Sequence, residues 1–202
     1  MSQKIAHVMK NEDGSWIPIH VLIDHLQGVA EKAKIFCETF SSGDWGYAAG
    51  IAHDVGKETQ QWQKYICRKS GYDEEAHFEG CSGKLEHSCH GAKLAEELFG
   101  KGIGRILAYC IAGHHAGLPD WCSDEAGALS ALCYRLQHTT TDQISSELKD
   151  VVSNKNPSSL PRKFDGGLDI SLWIRMVFSS LVDADFLDTE AYMNEEKSLQ
   201  RG

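Results

Sequence analysis

The stretch AGIAHDVGKETQQW, residues 49–62, decides how the rest of the chain is read. It begins as an apolar helix, then sets His53 and Asp54 side by side, with Gly56 and Lys57 close behind. Neighbouring residues on a helix point about 100° apart and do not share one surface. Two adjacent polar side chains in such a helix therefore have two readings. The pair sits at a helix edge and caps something, or both lean towards one cationic object.

Outward from this stretch the pattern is helical almost everywhere. Residues 19–40 are apolar at Val21, Leu22, Leu26, Val29, Ala33 and Phe36, a helical period. Residues 44–57 predict a helix with Asp44 as N-cap and an end near Gly56. Residues 58–69 predict another, with Trp62, Tyr65 and Ile66 on one face. Further helices are predicted over 87–100, stopped by Gly100, and over 103–117, ending at Gly113 or Gly117. Two more cover 123–139, with Ser123 as N-cap, and 169–193, a long apolar helix with acids near its end. Residues 70–86 and 153–168, rich in Gly or Pro, read as loops. No repeat, low-complexity tract or alternating strand pattern is present, so an all-α domain is expected.

The bulk properties narrow the function. A chain of 202 residues suits one domain with a real core. A net charge of −9 argues against a surface that attracts nucleic acid everywhere. Contact with nucleic acid would need a local groove, or bound metal ions to offset the acid. No apolar run approaches the roughly 20 residues that span a bilayer. The N-terminus has no signal-peptide core, so a cytoplasmic protein is expected. Seven cysteines without a CxxC pair predict reduced thiols, mostly filling the core. Cys81, Cys89, Cys110 and Cys122 match no zinc spacing.

The His and Asp residues in apolar helical surroundings form a series: His25, His53, Asp54, His87, His90, His114, His115, Asp183 and Asp185. Imidazole with carboxylate suits Mn²⁺, Fe²⁺, Zn²⁺, Ni²⁺ or Co²⁺. A lone helical His is more often a core or surface residue, and His7, His20, His77 and His138 are read that way. The argument for a site is the joint pattern. The doublets His53–Asp54 and His114–His115 each stand at a helix end beside Gly, where the chain bends and adjacent side chains can converge.

The order H…HD…H…HH…D resembles the HD superfamily of metal-dependent phosphohydrolases. HDVGKETQQWQKYI, HSCHGAKLA, AGHHAGLPDW and LVDADFLDTE together resemble one branch closely: the HD nuclease domain of the CRISPR-associated type I interference helicase–nuclease, the "Cas three" family. The resemblance covers roughly residues 15–192 and implies an HD-domain helical bundle with a metal site between central helices. It implies two divalent transition-metal ions, Mn, Fe, Ni or Co, with Mg or Zn as alternatives. One ion would be held by His25, His53, Asp54 and the terminal carboxylate, the other by Asp54, His87, His114 and His115, with Asp54 bridging. The terminal carboxylate falls on Asp185, with Asp183 as the fallback. The H-x-x-x-GA match selects His87 rather than His90. Lys57 matches a family lysine placed to meet phosphate or the leaving oxygen, so Asp54 and Lys57 are the candidate catalytic residues.

The activity implied is endo- or exonucleolytic hydrolysis of single-stranded DNA in antiviral defence. The implied partners are that DNA, a helicase domain or subunit, and the CRISPR RNA-guided surveillance complex, with no membrane. No G-x-x-x-x-G-K-[ST] phosphate loop occurs, so residues 1–202 are expected to be a single HD nuclease domain, stand-alone or excised from a longer helicase–nuclease. Two alternatives stay open. One is a phosphohydrolase of a nucleotide or cyclic nucleotide; the other is a non-catalytic, metal-stabilised binding module. Arg68, Lys69, Lys84 and Lys93 read as solvated charges before they read as a basic rim. Trp121 either stacks a nucleobase or closes its loop over the core.

Overall fold

The first apolar period folds as helix α1, Leu22–Glu38. Its buried stripe runs through Leu22, His25, Leu26, Val29, Ala30, Ala33 and Cys37, so an imidazole lies inside an otherwise apolar face. Helix α2, Gly43–Ala52, packs on α1. The backbones come so close that a Cβ on Gly50 would lie 2.6 Å from Ala30 Cα. Glycine at that position sets the α1–α2 spacing, and with it the distance from His25 to whatever follows α2. The computed structural model describes residues 3–73, 85–123, 128–154 and 157–201.

Helix α2 departs from the sequence expectation at both ends. It starts after Ser42 rather than at Asp44, and it stops at Ala52 rather than near Gly56. His53 is the C-cap, Asp54 leaves the helical region at φ −117°, ψ 17°, and a 3-10 turn covers Val55–Glu58. Val55 is fully buried, so the apolar period runs through the break and hides it. Thr59 then caps helix α3, Gln60–Ser70, its hydroxyl accepting from the Trp62 amide.

Helices α4, Ser88–Phe99, and α5, Arg105–Gly113, form a hairpin joined by a wide turn at Gly100–Gly104. Helix α6, Leu132–Gln137, is much shorter than the predicted 123–139, and Ser123 lies outside any helix. The Leu132 and Cys133 amides donate to the carbonyls of Asp120 and Trp121, which satisfies first-turn donors and fixes the start of the helix there. Helix α7, Ser146–Ser153, has no counterpart in the sequence reading. Ser145 caps it and also bonds Glu58, tying it to the 3-10 turn. The long helix α8, Gly167–Met193, crosses α1, α2 and α5, and α9, Glu195–Gln200, follows it.

Leu26, Ile51, Leu107, Ile111, Leu132 and Leu181 are fully buried between these helices. Trp45, Trp62 and Trp173 are buried too, in line with a core role. The architecture is the expected all-α bundle with one addition. Strands β1, Ile5–His7, and β2, His20–Val21, pair antiparallel beside α1. Segments of three and two residues are too short to show an alternating pattern. Among the described residues no helix is long and apolar enough to cross a membrane.

Candidate metal centre

The break after α2 lets His53 and Asp54 face the same space, with His53 Nε2 3.3 Å from Asp54 Oδ2. Helix α1 brings His25, whose Nε2 is 3.4 Å from the same oxygen. Helix α8 brings Asp185, its Oδ1 3.4 Å from His25 Nε2 and 3.5 Å from His53 Nε2. On the other side of Asp54, Oδ1 is 3.0 Å from His87 Nε2 and 3.3 Å from His114 Nε2. His87 caps α4, and His114 and His115 follow the end of α5. His115 Nε2 lies 3.0 Å from His87 Nε2. Two pockets thus share one carboxylate: His25, His53, Asp54 and Asp185 in the first, and Asp54, His87, His114 and His115 in the second.

The donors fit divalent cations. Atoms bound to one ion at about 2.0–2.2 Å stand roughly 2.9–3.5 Å apart, the separations seen here. Nε2 of His25, His53 and His114 and both oxygens of Asp54 are buried with no directed hydrogen bond. Each such atom typically costs about 1–3 kcal/mol, and their convergence on two points is what a cation would offset. The imidazole tautomers agree. Nδ1 faces only acceptors: Asp188 Oδ2 for His25 at 2.9 Å, Gly50 O for His53 at 2.7 Å, Ile111 O for His114 at 2.7 Å and Leu85 O for His87 at 3.3 Å. Each Nδ1 is therefore a donating nitrogen, which leaves each Nε2 as the atom that would face an ion in its pocket.

Lys57, 4% exposed, stands 2.6 Å from Asp54 Oδ2, an ion pair off the direction of a hydrogen bond. Its ammonium also donates to His7 Nε2 at 3.0 Å. His7 Nδ1 in turn lies 3.2 Å from His20 Nδ1, and His20 Nε2 lies 3.5 Å from Asp188 Oδ2. Burial, then the Lys57 charge, pushes the His7 pKa down to about 2, so His7 is neutral and accepts from Lys57. Sequence reasoning gave His7 and His20 no role and did not single out Asp188. The signal was weak: the strands that carry His7 and His20 are too short to see, and Asp188 is one of four acids in LVDADFLDTE.

Burial alone would lower the His53 pKa, but the Asp54 charge and contacts with Asp185 outweigh it and raise it to about 10. Burial would raise Asp54 and Asp185, yet Lys57 and His53 hold Asp54, and His53 holds Asp185, well below the carboxylate range. The His53 contribution to metal-free stability is thus complete below pH about 6.5 and is lost as pH rises towards 10. The carboxylate contribution is present above about pH 4 and is lost as pH falls. Ion binding at pH 7 must strip the His53 proton, so titration with Mn²⁺ should release about one proton per protein. Isothermal titration in buffers of differing ionisation enthalpy reads that number directly; heats that do not change with buffer would rule it out.

Other candidates lie elsewhere. Asp183 is exposed on a different side of α8 from Asp185. His90 sits one turn along α4, partly buried, with Nδ1 unpartnered, and belongs to neither pocket. Trp121 packs on the core near the start of α5, its ring under the Arg105 guanidinium at 4.4 Å, so it closes its loop over the core. Lys93 pairs with Glu97 and Lys69 with the Tyr65 hydroxyl, in line with solvated charges. Cys37, Cys89 and Cys110 are buried, but Cys122 is exposed, its sulfur 3.2 Å from that of Cys133. His77, Cys81 and Lys84 lie outside the described residues.

Residues 22–151 match the HD-domain family. A solved structure described as the crystal structure of a CRISPR-associated protein is similar at 16% identity and a TM-score of 0.48. The similarity covers 88% of this chain and 22% of that one, so this chain spans under a quarter of that protein's length. No curated protein matches.

Proposed function

Because the chain belongs to the HD-domain family of hydrolases, we propose that it is a two-metal nuclease that cuts single-stranded DNA in CRISPR interference. The observation that carries this reading is that the two oxygens of one fully buried carboxylate, Asp54, face two different ligand sets. A centre of that kind suits a phosphodiester better than a single-ion pocket does. The branch is supported by the HD-x-GK, H-x-x-x-GA and GHHxG motifs. In this reading residues 15–192 are the nuclease domain. The strand comes from a helicase domain or subunit recruited by an RNA-guided surveillance complex.

Bound there, two divalent ions would polarise the phosphodiester, lower the pKa of a water and stabilise the leaving oxygen. The chain's own residues hold and orient. Asp54 ties the pockets together, and the backbone and Asp188 acceptors keep Nε2 of His25, His53, His87 and His114 turned inward. The first pocket is the more enclosed, with His25, His53 and Asp54 fully buried and Asp185 half-buried, while His115 gives the second an exposed edge where a strand can enter.

The test is purified protein with Mn²⁺, Ni²⁺ or Co²⁺ against circular single-stranded DNA, duplex DNA, a cyclic nucleotide and a small phosphodiester. Loss of the circular strand, blocked by chelator, is expected. Hydrolysis of the small esters alone would indicate a nucleotide phosphohydrolase, and no hydrolysis at all would leave a metal-stabilised binding module.

Lys57 separates two roles. If it meets charge that grows in the transition state, Lys57→Met should keep its fold and ions but lose turnover on the order of 10²-fold, with DNA affinity little changed. If it only balances Asp54, single-turnover cleavage stays within a few-fold of wild type and Lys57 leaves the mechanism.

A further inference from the structure

The two pockets differ in what stands behind their imidazoles. In the second pocket His87 and His114 are oriented by backbone carbonyls, neutral acceptors. In the first, His53 also uses a carbonyl, but His25 donates to the carboxylate of Asp188 at 2.9 Å. A carboxylate behind an imidazole locks its tautomer and ring angle and makes the opposite nitrogen a stronger donor. The first pocket also has two ligand carboxylates, Asp54 and Asp185, where the second has Asp54 alone.

The position of Asp188 is enforced from several sides. It lies one turn beyond Asp185 on α8, so one stretch of helix delivers both a ligand and the backing of another ligand. Lys32 donates to Asp188 Oδ1 at 2.7 Å, which spares the protein an uncompensated buried anion. His20 Nε2 stands 3.5 Å from the other oxygen. On α1, a Cβ at residue 28 would lie 2.2 Å from Asp188 Oδ1, so Gly28 leaves the space the carboxylate fills.

We infer that Asp188 is a positioning residue that, acting through His25, makes the pocket of His25, His53, Asp54 and Asp185 the tighter of the two, so that the centre loads its first ion there. This rests on the two-metal reading above. The exposed second pocket then holds the ion that exchanges with solvent, on the side where the substrate arrives. Lys32, Gly28 and His20 serve the same end by fixing the carboxylate against His25.

The experiment is isothermal titration of the full metal-free chain with Mn²⁺, alongside the visible absorption of the first equivalent of Co²⁺. Wild type should show two unequal affinities. Asp188→Ala should weaken the tighter one by about 10–100-fold, leave the weaker one in place and alter the Co²⁺ spectrum. Asp188→Asn keeps the size and one acceptor oxygen but not the charge, so its loss should be smaller; it carries the test if the alanine variant does not fold. Melting curves report folding for each. An unchanged tighter affinity in both variants, or a loss confined to the weaker site, overturns the inference and leaves the two-metal reading standing. Wild-type protein that binds no ion overturns both.

Discussion

Asp54→Asn should leave a protein that binds neither ion and shows no measurable hydrolysis. No other single change should do both. Each oxygen of Asp54 faces its own pair of imidazole nitrogens at 3.0–3.4 Å, so the shared ligand cannot be lost from one pocket alone. Groups that act as a unit in catalysis typically cost on the order of 10⁴–10⁶ in rate when one is removed, and a fall of more than about 10⁴ is expected. Stability should change as well. Lys57 is almost wholly buried, and the neutral amide leaves its ammonium without an anion. Breaking one half of a buried pair typically costs about 3–5 kcal/mol. The double variant Asp54→Asn/Lys57→Met should therefore recover much of the melting temperature and none of the activity. Metal analysis that finds either pocket still filled in Asp54→Asn would refute the shared carboxylate.

That pairing of a shared carboxylate with a buried cation shows what the sequence could and could not reveal. Long, strongly patterned elements were legible: α1, α4 and α8 lie within a few residues of their predicted bounds, because an apolar stripe over many turns admits one period. The end of α2 was not, because Val55 continues the apolar pattern past the point where the backbone turns. Of the His and Asp series named from sequence, the fold gathers His25, His53, His87, His114, His115 and Asp185 around Asp54 and leaves out His90 and Asp183, since its order along the chain carries information that no single residue does. What surrounds the series depends on contacts far apart in sequence. Asp188 is distinguished from its neighbours by contacts with His25, Gly28 and Lys32, some 160 positions earlier. His7 and His20 reach the site through a strand pair that leaves no periodic trace.

The contrast between Asp185→Asn and Asp183→Asn is the remaining large effect. Two residues along a helix is a rotation of about 200°, so the two acids cannot serve one pocket. Asp185 Oδ1 stands within 3.5 Å of both His25 and His53, while Asp183 points to solvent. Asparagine keeps the shape of the side chain but removes one of the two negative charges of the first pocket. The affinity there should fall by more than the roughly 10–100-fold typical of changes behind the ligands, and the rate by on the order of 10³ or more, the upper range for loss of one electrostatic group. Asp183→Asn should stay within about two-fold on both measures. A second readout uses the metal-free proteins. His53 holds the Asp185 pKa below its ordinary value against burial, so the ionised carboxylate stabilises the fold above about pH 4 and ceases to as pH falls. Asp185→Asn should melt lower than wild type at pH 7, and the two curves should converge in acid. The reverse ranking, with Asp183→Asn inactive and Asp185→Asn unharmed, would require α8 to present its opposite face to α1, which the burial of Leu181, Ala184 and Asp188 on the Asp185 side contradicts.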